Sequence, residues 1–141
     1  MITNIEMIKQ LTTQSIDRLK QDLITLIAQK NSPGRIRGGT SIEKQNIILG
    51  LISYTPHSDP EEESIEFSIR TEINAKTSIV ADICWSDGEA VDVVLKEQLV
   101  FDSHDDLRIQ LVAIWKKLFP IILNKLTKFI NRNQPPRYRT D

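Results

Sequence analysis

Asp82 and Asp92 are the residues of this 141-residue chain whose spacing most directly suggests chemistry. They take even positions in two neighbouring runs whose odd positions are apolar: Ile79, Ala81, Ile83 and Trp85, then Val91, Val93 and Leu95. Period two is the mark of a half-buried strand. A three-residue turn ending on Gly88 pairs odd positions with odd. Ile83 then faces Val91, Ala81 faces Val93, Ile79 faces Leu95, and Asp82 lies directly across from Asp92. Two facing carboxylates repel; they can hold a divalent cation, as in a metal-dependent hydrolase, or share a proton. A nuclease signature of the Glu/Asp-x-Lys kind needs a lysine that Asp92-Val93-Val94 lacks, and Lys96 lies about 13 Å along the strand. Arg70, opposite Val80 and diagonal to Asp82, neutralises the pair more simply. No metal site is expected.

The other chemistry-bearing groups also reduce to structural roles. Gly34-Arg35-Ile36-Arg37-Gly38-Gly39-Thr40-Ser41 has the glycine spacing of a phosphate loop. Thr40 stands where lysine is required, and the preceding segment reads as helix rather than strand, which excludes nucleotide hydrolysis. Anion binding by Arg35, Arg37 and the loop amides is what remains. His57, with Asp59, Glu61, Glu62 and Glu63, has ligand residue types without the fixed spacing of a metal loop. His104 precedes Asp105 and Asp106, which suit the first turn of a helix. Neither histidine accompanies a nucleophile signature, and Cys84 has no basic neighbour in sequence to activate it. The expected protein is not an enzyme and takes no cofactor.

Charge is strongly segregated behind a net value of −1. Residues 1–57 carry seven Lys/Arg against four Asp/Glu, residues 58–106 three against fourteen, and residues 107–141 eight against one. The simplest reading is that acidic and basic segments neutralise each other in the fold or across a dimer. The alternative is a nucleic-acid partner for the basic part. Lys116, Lys117, Lys125, Lys128, Arg132, Arg137 and Arg139, with Tyr138 between two arginines, would contact phosphates and stack on a base.

The elements that must position these groups follow from period and punctuation. Ile5, Ile8, Leu11, Ile16, Leu19, Leu23 and Ile27 recur at mostly helical spacing, with Thr12-Thr13-Gln14-Ser15 expected to split the helix in two. Asn31-Ser32-Pro33-Gly34 ends it. Residues 31–41 are expected to be a basic loop, with Thr40 and Glu43 as a candidate capping box. A buried strand covers Ile47 to Ile52. Two further hairpin-linked strands precede Val91 to Leu95, with Ile73 facing Thr77 and Phe67 facing Ile83. Ser103 caps a second amphipathic helix, which Pro120 is expected to kink or restart.

The expected fold is α+β: an antiparallel meander of about four strands, one face covered by N- and C-terminal helices, in a two-layer sandwich. One domain spans residues 1–132, and 133–141 form a flexible basic tail. No apolar run approaches a membrane span, and MITNIEMIKQ has no basic leader before an apolar stretch, so a cytoplasmic location is expected. The outer sheet face carries Val80, Cys84, Ala90 and Val94 among its charges. Such a mixed strip suits a partner surface or homodimer contact. The leading expectation is a non-catalytic binding or regulatory module acting through protein contacts, homodimeric, with nucleic-acid binding through loop 34–39 and the basic C-terminus as the alternative.

Overall fold

A computed structural model describes residues 2–30, 34–56, 64–85 and 90–132. Helix α1 (Asn4–Lys30) precedes five strands, β1 (Arg35–Glu43), β2 (Ile47–Thr55), β3 (Ile65–Ile73), β4 (Thr77–Trp85) and β5 (Ala90–Leu99). Helix α2 (His104–Arg132) follows. The strands form one antiparallel sheet in the order β1-β2-β3-β4-β5, with β1 and β5 as its edges. Both helices cover the same face, α1 over β1 and β2, α2 over β3 and β5. The fold is the expected α+β meander under two helices, with five strands in place of about four.

Local chemistry starts and stops these elements. Thr3 Oγ1 accepts the Glu6 amide at 3.1 Å and contacts the Glu6 carboxylate, which caps α1. Ser103 Oγ accepts the Asp106 amide at 3.0 Å, so Ser103 caps α2 as its residue type implied. His104 Nδ1 and Asn4 Oδ1, 2.6 Å apart, join the two helix starts. At the adjoining sheet end two turns are laced together: Asn46 Nδ2 donates to Ile73 O at 3.2 Å and to Asn74 Oδ1 at 2.8 Å.

The core lies between the sheet and the helices. Met7, Ile8, Ile16, Leu19 and Leu23 of α1, with Leu107, Leu111, Trp115, Leu118, Ile122, Leu126 and Ile130 of α2, meet Ile48, Ile52, Tyr54, Phe67, Ile69, Ile79 and Ile83. Trp85 and Phe129 add an edge-to-face ring contact at 5.4 Å between centroids. Gly50 sits beneath α1. A Cβ there would lie 2.7 Å from Thr12 Cγ2, 3.0 Å from Ile69 Cγ2 and 3.1 Å from Ile16 Cγ1.

Four expectations are corrected. Residues 35–43 are an edge strand rather than a loop, so Thr40 and Glu43 form no capping box. Helix α1 runs unbroken through Thr12 to Ser15, because Thr12 is buried with its methyl turned toward Gly50. Helix α2 does not restart at Pro120 but runs as one helix through it. The lost amide hydrogen forfeits one bond of the helix ladder, and buried Trp115, Leu118, Ile122 and Leu126 on either side hold the helix together.

The fourth correction concerns β5. The β3–β4 register is the expected one, with Ile73 opposite Thr77 and Phe67 opposite Ile83. The β4–β5 register is not. It shifts twice, between Ala81 and Asp82 and between Ile83 and Cys84, so that Val94 and Val91 are the extra residues. Ile79 faces Glu97, Ala81 faces Leu95, Asp82 faces Val93 and Ile83 faces Asp92.

Gly50 makes the seating of α1 testable. Gly50→Val is expected to cost about 1–3 kcal/mol in urea unfolding through overpacking. Gly39→Ala, where a Cβ meets nothing within 4 Å, is expected to stay within about 0.5 kcal/mol of the parent.

Candidate functional site

The sheet has one face under the helices and one face that no described element covers. Parity and register place Ile47, Leu49, Leu51, Ser53 and Thr55 of β2 on that outer face. Glu66, Ser68, Arg70 and Glu72 of β3 come next, then Ser78, Val80, Asp82 and Cys84 of β4, and Ala90, Val93, Lys96 and Gln98 of β5. Two apolar stripes result. Half-buried Leu49 and Leu51 form one along β2, at whose start Ile47 is buried, and Val80, Cys84, Ala90 and Val93 form the other across β4 and β5. Between them runs the polar column of β3, where the Arg70 guanidinium meets Glu72 at 3.3 Å and Ser68 Oγ donates to Asp82 Oδ1 at 2.8 Å.

Of the four residues proposed for this strip, Val80, Cys84 and Ala90 are on the outer face. Val94 is not: as a bulge residue it is half-buried and packs against the core. Val93 replaces it and is 60% exposed. Leu49 and Leu51 were missed because Ile47-Ile48-Leu49-Gly50-Leu51-Ile52 is apolar on both faces and reads as a fully buried strand, as Ile47 and Ile48 are. The signal that could have found them is that the sequence offers only two amphipathic helices, both needed on one face of the sheet, which leaves the second face of β2 without a covering element.

The carboxylate pair does not assemble. Asp82 points outward opposite Val93, whereas Asp92 shares the inner face with Ile83 and binds Lys125 Nζ of α2 at 2.6 Å. The bulges place them on opposite sides of the sheet, so they cannot hold one cation together. Arg70 pairs with Glu72 and does not bridge the two aspartates. Among the described residues no group of three or more His, Cys, Asp and Glu is placed to hold a metal ion. His57, Asp59, Glu61, Glu62 and Glu63 lie outside the described residues.

The basic candidates are dispersed. Arg35 and Arg37 are exposed on the outer side of β1, in extended backbone and not in an anion-cradling loop. A shallow hollow of about 370 Å³ lies over Gly39, between Arg37, Ser41, Leu51 and Ser53. Arg132 closes α2, and Arg137, Tyr138 and Arg139 lie outside the described residues. Lys125 is already engaged by Asp92, which brings the acidic middle and basic end of the sequence together within one chain. On the helix side, a groove of about 610 Å³ is lined by Gln14, Val112, Trp115, Lys116 and Pro120, with Arg18 stacked 4.4 Å above the Phe119 ring.

No protein-family model, curated protein or solved structure matches this chain. No helix among the described residues is long and apolar enough to cross a membrane.

The Asp92–Lys125 contact bridges two half-exposed side chains, so screening keeps its worth small. A double-mutant cycle with Asp92→Asn and Lys125→Met is expected to give a coupling below about 1 kcal/mol that falls as salt is raised. Titration with Mn²⁺ is expected to give the same heats for the parent and for Asp82→Asn.

Proposed function

We propose that this chain is a non-catalytic binding module that works through protein contacts on the outer face of its sheet, and that it acts as a homodimer. The observation that carries this reading is the pair of apolar stripes, Leu49-Leu51 and Val80-Cys84-Ala90-Val93, on a face that no described element covers. An antiparallel sheet with one wet face ordinarily turns polar side chains to water. Apolar patches with polar groups between and around them are the composition of a protein-binding surface. The Arg70–Glu72 pair neutralises its two charges and Ser68 Oγ donates to Asp82, while Glu66 and Asp82 keep their negative charge on that column for a partner to meet.

The reading is tested by photo-cross-linking in the cell that makes the chain. A photoreactive phenylalanine derivative is placed at Leu51, at Val80 and, as reference, at Ile109 on the exposed side of α2. Defined protein adducts are expected from the two sheet positions and are expected to disappear when Leu49→Lys is added to the Val80 variant. Adducts formed equally well from Ile109, or unaffected by the lysine, would count against the outer face.

A further inference from the structure

The two edges of the sheet are built differently. β5 is interrupted by two bulges and carries exposed Lys96, Glu97 and Gln98, devices that discourage another strand from pairing. β1 pairs with β2 through nine consecutive residues, Arg35 to Glu43, without a register shift. It contains no proline.

The side chains of β1 have a symmetry about Gly39, the central residue of the nine. Arg35 and Arg37 stand on the outer face before it, and Ser41 and Glu43 stand on the same face after it. On the inner face Ile36 precedes it and Ile42 follows, the latter 42% exposed although it is a large aliphatic residue. A two-fold axis through Gly39 that pairs β1 with β1 of a second copy therefore uses all nine residues at once. It sets Arg35 opposite Glu43, Ile36 opposite Ile42, Arg37 opposite Ser41, and Gly38 opposite Thr40, each twice. Directly opposite residues of an antiparallel pair interact across the ladder, and opposite charges there attract. Neither Arg35 nor Glu43 has an ion-pair partner among the described residues. A slip by one residue along either chain removes the Arg35–Glu43 match and turns Ile42 away from Ile36.

We propose that two copies of this chain associate edge to edge through antiparallel pairing of β1 about Gly39, forming one ten-stranded sheet. The inference supplies the surface for the homodimer of the preceding reading and rests on its self-association half alone. The outer face stays open and becomes continuous across both copies, with the two β2 stripes brought toward the dimer axis.

The experiment is a charge exchange followed by sedimentation equilibrium. Arg35→Glu and Glu43→Arg each put two like-charge pairs into the dimer, and each is expected to raise its dissociation constant about tenfold or more. The double variant restores both attractions and is expected to return within about threefold of the parent. Both side chains are exposed, so an unchanged near-ultraviolet circular dichroism spectrum checks that the monomer is intact, while the melting temperature falls with the loss of the dimer. Hydrogen exchange should show β1 amides that are protected only in the dimer. A parent that is monomeric at all concentrations overturns the proposal, as does a dimer indifferent to both single changes. A dimer lost with Leu51→Lys but kept by Arg35→Glu would move self-association to the outer face, overturning this inference while leaving the binding module standing. A dimer that survives Leu51→Lys while cross-links from Val80 vanish would uphold both.

Discussion

The seat of α1 on Gly50 is the contact on which the rest of the layering depends. A helix lies over a sheet at a distance set by the side chains between them, and at Gly50 there is only hydrogen. Thr12 and Ile16 enter that space, which brings α1 down over β1 and β2. With α1 held to that side, the remaining inner surface is left to α2, whose buried residues from Leu107 to Ile130 cover the other strands. Both helices are spent on one face. The opposite face is left to whatever β2, β4 and β5 turn outward.

The bulges of β5 govern what that face carries. Each inserts one residue against β4, and two such insertions return the strand to its original parity. Only the stretch between them is inverted. Inside it, Val93 is turned to solvent and Asp92 to the helices. Asp92 meets Lys125 there, so the inversion that separates it from Asp82 also supplies it with a counter-ion. The same irregularity spoils β5 as a pairing edge and leaves β1 as the regular one.

How much of this was legible in the sequence depends on how strictly each segment obeys its period. From Ile65 to Trp85 inner positions are mostly apolar and outer positions mostly polar, so strand limits and register follow from alternation alone. β1 has Arg35, Arg37, Gly38, Gly39, Thr40 and Ser41 with only Ile36 and Ile42 to mark a face. Its structure comes from pairing with β2. The turn that enables this holds Lys44 and Gln45 at positive φ, without the Asn-Gly or Asp-Gly that signals a hairpin. Bulges leave no mark in a periodic reading, because a continuous apolar alternation survives in sequence while the backbone slips beneath it. The outer strip was thus legible at Val80, Cys84 and Ala90. It was wrong at Val94 and silent at Leu49 and Leu51.

The charge segregation of the chain resolves differently from what its linear order suggests. Folding distributes it, because strands drawn from the basic first part and the acidic middle lie side by side. Among the described residues of the outer face, Arg35, Arg37, Arg70 and Lys96 stand against Glu43, Glu66, Glu72 and Asp82. A surface that binds a polyanion must present excess positive charge, since its affinity comes from displacing counter-ions from phosphates. A balanced face offers no such excess. It does offer aliphatic stripes set among charges of both signs, the composition of a surface that meets another protein. The lysines of α2 lie on the opposite layer, and one of them is already held by Asp92. Charge balance and apolar content therefore favour the same class of partner for the outer face, and they do so independently of each other.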